Sequence, residues 1–227
     1  MVPRSQDSPR RKRSRKTGAR AAAGELVIRR LTPSRMDELG EVLRGGWGKG
    51  CWCIFPRVTA ALERELPGPG SGSDRRRRAM EKLARRRRAP GLLAYLEREV
   101  VGWIAVAPRA ELVRVDRSRA TPRVDDVDVW VIPCITVHRR ARGRGIALAL
   151  IDAAVEYAAS QGAPAVEAYV RAGEARVHDD FAYFGTEPLF RRAGFRVVRD
   201  PLPGLPRNWT PRVTVRRRCT EPERGRG

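Results

Sequence analysis

A single stretch, residues 131–159, constrains the fold of this chain more than any other. It reads VIPCITVHRRARGRGIALALIDAAVEYAA, so a β-branched apolar run ends at Val137, a basic turn with Gly143 and Gly145 follows, and a helical pattern begins at once. A glycine-rich turn between a strand and a helix N-terminus brings together free backbone N–H groups and the positive end of the helix dipole. The stretch therefore predicts an α/β protein that holds an anion, such as phosphate, at this turn.

Three arginines in the turn, Arg140, Arg142 and Arg144, add full positive charges that can grip phosphate bidentately. No Gly-Lys-Ser/Thr follows, which excludes a P-loop, and Leu148 stands where a dinucleotide-binding fingerprint requires its third small residue. On the turn alone, a tight glycine turn made basic by an arginine-rich composition remains an equal alternative.

The order of features along the chain resembles the GNAT superfamily of N-acetyltransferases. Arg140, Gly143 and Gly145 match its Arg-x-x-Gly-x-Gly acyl-CoA signature. Residues 184–195 (FGTEPLFRRAGF) resemble the family's closing helix, and residues 91–108 resemble its central hairpin. A Cys-Trp-Cys segment at residues 51–53 is similar to a bacterial subgroup whose acceptor is unassigned.

This resemblance implies the GNAT acyl-CoA N-acyltransferase fold. That fold is α/β (α+β), with a mixed, mostly antiparallel twisted sheet of about six to seven strands, flanked by helices and split at its central strand. Pro133, which cannot donate a ladder hydrogen bond, fits such a split, although a simple edge strand would also tolerate it.

The resemblance also implies that acetyl-CoA is the cosubstrate. Its pantetheine arm would bond to the backbone of Ile135, Thr136 and Val137. Its pyrophosphate would be held by Arg140, Arg142, Gly143, Arg144, Gly145, Ile146 and Ala147.

Acetyl transfer to an amine by direct attack in a ternary complex needs a proton acceptor but no enzyme nucleophile, so Cys134 is expected in the core. Four side chains are candidates for the base: Asp126, Asp128, Glu167 and His178. We favour Asp128 and Glu167, while a structural salt bridge with an arginine would explain Glu167 equally well.

The residue that would protonate the leaving thiolate departs from the family pattern. The family commonly places a tyrosine in the closing helix, where this chain has Phe190. Tyr183 or solvent would have to substitute, and Tyr183 could instead be a core residue.

The composition is strongly basic, with a net charge of +21 and arginine supplying 43 of the 47 basic residues. This indicates either attraction to polyanions or the coding bias of a GC-rich genome. One alternative to an acetyltransferase that acts on a small-molecule or protein amine is therefore a nucleic-acid- or ribosome-associated protein, whose basic arm and residues 75–88 make weak contact with nucleic acid. The other alternative is a non-catalytic acyl-CoA sensor, which the missing tyrosine at position 190 favours.

The chain divides into a disordered basic arm (1–23), the acetyltransferase domain (24–218) and a flexible tail (219–227). Within the domain we predict a helix from Thr32, a helix over 74–88 capped by Asp74, and a loop over 113–125. Residues 45–56 form either a loop or broken helix beside the acceptor site, or an aromatic cluster that patches the core. Four cysteines, only two of them close in sequence, predict free thiols in a reducing cytoplasm and no metal site. The resemblance implies a bacterial protein, which we expect to be a monomer or a homodimer. No apolar run is long enough to span a bilayer.

Overall fold

The computed structural model describes residues 25–44, 50–172, 184–206 and 210–219. The strands in these residues form one seven-stranded sheet in the order β1-β2-β3-β4-β5-β7-β6. They are β1 (Leu26–Arg30), β2 (Gly91–Leu96), β3 (Glu99–Pro108), β4 (Trp130–Val137), β5 (Ala165–Arg171), β6 (Arg196–Arg199) and β7 (Arg212–Arg218). All neighbours are antiparallel except β4 and β5, which are parallel. This mixed, mostly antiparallel sheet confirms the predicted fold class.

Helices cover both faces of the sheet. They are α1 (Met36–Val42), α2 (Ala60–Arg64), α3 (Gly72–Ala84), α4 (Val113–Asp116), α5 (Ile146–Ser160) and α6 (Glu187–Arg192). Adjacent strand residues point to opposite faces, so Ile104 packs with Leu150 of α5, whereas Trp103 packs with Leu39 of α1 and Met80 of α3. Burial on both faces explains why β2 and most of β3 are apolar throughout.

The predicted hairpin between β2 and β3 is confirmed. Its turn consists of Glu97 and Arg98, whose φ angles are 52° and 71°. Two successive residues with positive φ are typical of the tight turn whose twist matches that of antiparallel strands.

The predicted cap of the basic helix is wrong. Ser71, not Asp74, is the N-cap of α3, and the helix ends at Ala84 instead of continuing to residue 88. The Ser71 hydroxyl accepts a hydrogen bond from the Asp74 N–H (3.3 Å), and the Asp74 carboxylate accepts one from the Ser71 N–H (2.8 Å). This reciprocal capping box satisfies two otherwise unpaired donors, which a cap at Asp74 would leave open.

Two smaller expectations are also corrected. The segment after Thr32 opens as a 3-10 turn (Pro33–Arg35) before α1, and the Thr32 hydroxyl bonds to the Ser34 hydroxyl instead of capping a backbone N–H. Residues 113–125 are not wholly loop, because they begin with the short helix α4.

No helix in the described ranges is long and apolar enough to cross a membrane. The basic arm (1–23) and the tail beyond residue 219 lie outside the described residues. The domain boundaries given above therefore stay predictions.

Candidate active site

Strands β4 and β5 pair at only three positions and then separate. The register joins Trp130 to Val166 and ends where Ile132 faces Ala168, immediately before Pro133. Because proline has no N–H to donate to a ladder, the pairing stops at the residue where the sequence predicted it would. The split at the central strand is confirmed.

Beyond the split, β4 is paired on one side only. Ile135, Thr136 and Val137 lie opposite β3, and none of the described residues pairs with their other side. On the far side of the gap, β5 continues to Arg171, which forms a parallel bridge with Thr186. The gap is therefore bordered by unpaired backbone groups of β4, which an extended ligand can satisfy.

The turn after β4 has the backbone geometry that its glycines permit. A 3-10 turn at Arg139–Ala141 leads into Gly143 and Gly145, whose φ angles are 76° and 78°. Non-glycine residues rarely adopt this left-handed conformation. A Cβ placed on either glycine would meet no described atom within 4 Å, so the space over the turn is open to a ligand.

Helix α5 begins directly at this turn, with Gly145 as its N-cap. The first intrahelical bond runs from the Ala149 N–H to the Gly145 carbonyl, at 3.1 Å. The N–H groups of Ile146, Ala147 and Leu148 precede that bond and have no helical acceptor. The start of a 15-residue helix is therefore an electropositive site beside the open glycines.

The three arginines of the turn have different surroundings. Arg140 forms an ion pair with Glu99 at 2.9 Å, and both side chains are more than half exposed. The Arg142 Nε donates to the Val137 carbonyl at 3.2 Å, which ties the turn back to β4. Arg144 is exposed. An exposed ion pair contributes little net stability, so Arg140 can exchange Glu99 for a phosphate at small cost.

Asp128 lies just outside the strand it was expected to enter. Strand β4 begins at Trp130, and Asp128 is exposed to solvent two residues earlier. The backbone beside it is fixed, because the Val129 carbonyl accepts a hydrogen bond from the Arg109 N–H at 3.0 Å.

Glu167 lies inside a buried ion-pair network. The side chain is 1% exposed, and its Oε1 accepts hydrogen bonds from the Nε and Nη2 of Arg216 at 2.8 and 2.6 Å. Its Oε2 accepts a bond from the Tyr169 hydroxyl at 3.0 Å. The structure therefore shows the salt bridge that the sequence left open as an alternative, while a role for Glu167 as base stays a prediction.

Arg109 extends this network to the segment that precedes β4. It is 2% exposed, bonds to the Tyr169 hydroxyl, pairs with Asp116 at 2.8 Å and donates to the Thr121 carbonyl at 2.6 Å. Burial, followed by the charge of Glu167, raises the pKa of Tyr169 above its ordinary value. Tyr169 thus acts here as a neutral link between Glu167 and Arg109.

Two of the predicted proton-transfer residues lie outside the described residues. They are Tyr183, the candidate general acid, and His178, one of the candidate bases. Phe190, which stands in the family's usual tyrosine position, is fully buried and makes an edge-to-face contact with Phe195 at 5.0 Å. Its ring is part of the core.

The Cys-Trp-Cys segment packs into the core on the α1 and α3 face. Cys53 is 3% exposed and its sulfur accepts a hydrogen bond from the Trp103 Nε1 at 3.1 Å, while the Trp52 Nε1 donates to the Ser73 hydroxyl at 3.0 Å. Of the two interpretations of residues 45–56, the part described from residue 50 onwards supports the core-patching cluster. Residues 45–49 lie outside the described ranges.

The arginines at the start of α3 hold neighbouring loops in place. Arg75 donates to the Gly70 carbonyl, Arg76 pairs with Glu63 at 2.8 Å, and Arg77 pairs with Asp37 at 2.8 Å. Two of these positive charges are therefore paired locally with carboxylates, and contact with nucleic acid stays a prediction.

Two features bear on further chemistry. No group of three or more metal-ligating side chains occurs among the described residues. A buried arginine that sequence reasoning missed, Arg57, has a side chain only 7% exposed. In the sequence Arg57 is marked only by its place after Pro56, and nothing distinguishes it from the many other arginines.

Comparison with known protein families identifies the family of the chain. The sequence model described as the Acetyltransferase (GNAT) family matches residues 55–185, more than half of the chain. No curated protein matches the chain.

The chain is also similar to several solved structures. The PaiA N-acetyltransferase of Thermoplasma acidophilum, solved in complex with coenzyme A, has a TM-score of 0.50 at 12% identity, over 86% of this chain and 99% of its own. A histone acetyltransferase HPA2-related protein of Corynebacterium glutamicum has a TM-score of 0.49 at 17% identity, over 87% and 98%. Ard1 of Thermoplasma volcanium has a TM-score of 0.47 at 18% identity, over 86% and 99%.

Proposed function

Because the chain belongs to the acetyltransferase (GNAT) family, we propose that it transfers an acetyl group from acetyl-CoA to a primary amine of a small molecule or a protein. The observation that carries the proposal is the continuity of two features on β4. The strand loses its β5 partner after Ile132, and its far end leads directly into the open turn at Gly143 and Gly145. The free strand edge and the helix N-terminus would therefore hold one elongated ligand.

The residues present fit coenzyme A. The open space over Gly143 and Gly145 lets phosphate oxygens approach the backbone, and the N–H groups of Ile146 and Ala147 point from the start of α5. Arg140, Arg142 and Arg144 would add charge-assisted hydrogen bonds. Ile135, Thr136 and Val137 would hold the pantetheine arm through the backbone of the strand edge that faces the gap. When bound, acetyl-CoA would supply the thioester from which the amine takes the acetyl group.

Asp128 and Glu167 remain the proposed acceptors of the proton that the amine loses, and the two side chains differ in their surroundings. Asp128 is exposed, so its carboxylate is open to a substrate amine or to a bridging water. Both oxygens of Glu167 already accept hydrogen bonds, so proton uptake there would compete with Arg216 and Tyr169. We therefore propose Asp128 as the base and Glu167 as a residue that positions β5. Tyr183 remains the proposed acid for the leaving thiolate.

A screen of acetyl-CoA against a panel of amines tests the proposal, with release of the coenzyme A thiol as the readout. The panel should contain polyamines, aminoglycosides, amino acids and peptides with free N-termini. We expect release that depends on one class of amine and is lost in Gly145→Glu. Tight acetyl-CoA binding without release across the panel would instead support the non-catalytic sensor.

Four free cysteines fit a reducing cytoplasm as the place of action.

A further inference from the structure

A second basic site lies at the opposite end of β4 from the glycine turn. A cavity of about 310 Å³ opens between the end of α3, the start of β2 and the start of β4. Four arginines line it, Arg57, Arg86, Arg87 and Arg88, together with a single acidic residue, Glu111. This lining carries an excess of three positive charges, at a site that the proposed acetyl transfer does not use.

Glu111, the one acidic residue of the lining, is shared between two arginines and lies close to neither. Glu111 lies 3.5 Å from Arg57 and 3.8 Å from Arg86, near the outer limit for an ion pair. Arg57 is only 7% exposed and also donates a hydrogen bond to the Pro90 carbonyl at 3.3 Å. Burial lowers the pKa of Arg57, while Glu111 opposes that shift only in part. A buried cation in this condition is stabilised by any anion that enters the cavity.

The shape and charge of the cavity select among anions. Its remaining wall is apolar and aromatic, with Pro90, Val106 and Trp130 among the lining residues, so an organic group has a surface to cover. Its volume is near the lower end for small-molecule pockets, which suits a small metabolite and excludes a nucleic-acid duplex. A phosphate monoester carries about −1.5 to −2 charges near neutral pH and matches the guanidinium fork, whereas a carboxylate carries one charge.

We infer that this cavity, bordered by Arg57, Arg86, Arg87 and Arg88, binds a small organic phosphate monoester. It is separate from the turn at Gly143, because Trp130 and Val137 stand at opposite ends of β4, about 23 Å apart for an extended strand. The inference does not depend on the proposed acetyl transfer.

Calorimetric titration of the full chain with phenyl phosphate tests the inference, and benzoate is the matched monoanionic probe. We expect saturable binding of one phenyl phosphate per chain, with benzoate at least about tenfold weaker. The double variant R87S/R88S should weaken phenyl phosphate about tenfold or more. Both arginines are exposed, so the variant should fold, and an unchanged melting temperature would verify this.

The control variant K82S/R85S removes the same charge from exposed positions of the same segment outside the cavity lining, and it should change the affinity less than about twofold. Equal weakening in both double variants would show only a diffuse positive field and overturn the inference. Absence of saturable binding at millimolar phenyl phosphate would also overturn it. Displacement of phenyl phosphate by acetyl-CoA would assign the cavity to the cosubstrate's own phosphates and would equally contradict a separate site.

Discussion

Glu167 and Arg216 face each other across the β5–β7 pair and form an ion pair at 2.6 Å, with the Glu167 side chain 1% exposed. Arg216 also binds Asp125 through both terminal nitrogens, at 2.6 and 2.9 Å. The pair thereby joins β5, β7 and the segment before β4. Removal of the Glu167 charge would leave Arg216 only the part-exposed carboxylate of Asp125, and loss of a buried counter-charge lowers stability strongly.

We therefore predict that the two candidate bases respond differently to substitution, Glu167 through a loss of stability and Asp128 through a loss of turnover. Glu167→Gln should lower the free energy of unfolding by about 3 kcal/mol, since Arg216 and Arg109 lose their shared counter-charge. Asp128→Asn should leave stability within about 0.5 kcal/mol because the side chain is exposed. It should lower kcat by about a hundredfold, as expected for loss of a general base.

Urea denaturation and initial rates of thiol release measure both effects. A fully stable Glu167→Gln that has lost its turnover would support Glu167 as the base instead. Unchanged turnover in Asp128→Asn would contradict the role proposed for Asp128.

The glycine turn yields a prediction with a matched control on the same helix. Gly145→Glu should raise the dissociation constant of acetyl-CoA by about a hundredfold or more, because it places a carboxylate where phosphate is proposed to bind. Gly162 follows the other end of α5, with φ of 84° and equally open space over its Cα. Gly162→Glu therefore introduces the same charge and the same backbone strain away from the turn.

Calorimetry on the two variants separates binding from strain. Both should lose stability to backbone strain, Gly162→Glu somewhat more because a carboxylate is unfavourable at the C-terminal end of a helix, and Gly162→Glu should keep the wild-type affinity for acetyl-CoA. Similar loss of affinity in both would mean that helix destabilisation, not the turn, is responsible.

The parts of the fold that could be predicted from sequence are those set by local patterns. Pro133 marks the end of β4–β5 pairing because a missing N–H acts at its own position, and the β-branched run, glycines and apolar helix stripe of residues 131–159 act on their immediate neighbours. The hairpin from β2 to β3 was predicted for the same reason.

What could not be predicted depends on contacts between distant segments. A lone charge in an apolar strand favoured Glu167 as a base. Its partner Arg216 is 49 residues away in the chain, so no local pattern indicates the pair. Arg57 meets Glu111 from 54 residues away, and nothing in its neighbourhood distinguishes it from the other arginines. The cap of α3 failed for a local reason, since Ser71 and Asp74 are both good capping residues and only their reciprocal bonding decides the helix start.

The buried Cys53 thiol, which lies beside Cys134, predicts a dependence of stability on alkaline pH. The pKa of Cys53 is raised well above its ordinary value of 9.0, first by a hydrogen bond with the Cys134 thiol and then by burial. The folded state keeps the thiol protonated while the unfolded state ionises near pH 9.0, so this contribution is present below that pH and is lost above it. Above pH 9.0 the free energy of unfolding of the wild type should therefore fall by up to about 1.4 kcal/mol per pH unit relative to that of Cys53→Ser.

Serine keeps an acceptor for the Trp103 Nε1 but does not titrate in this range, so the variant is a suitable reference. Cys51 and Cys219, whose pKa values are also raised by burial, are present in both proteins and cancel in the difference. Guanidinium denaturation of both proteins at a series of pH values measures the effect. Parallel curves across the alkaline range would show that Cys53 is not shielded from ionisation in the folded state.

The basic surface yields the final prediction. Arg75, Arg76 and Arg77 of α3 are held by Gly70, Glu63 and Asp37, whereas residues 1–23 contain eight basic and one acidic side chain. Deleting residues 1–23 should therefore reduce affinity for single-stranded polyuridine and flatten its salt dependence, since fewer counterions are released on binding. Acetyl-CoA affinity should not change. An unaltered salt slope after the deletion would instead assign polyanion binding to the folded domain, and R75S/R78S would then be expected to reduce it.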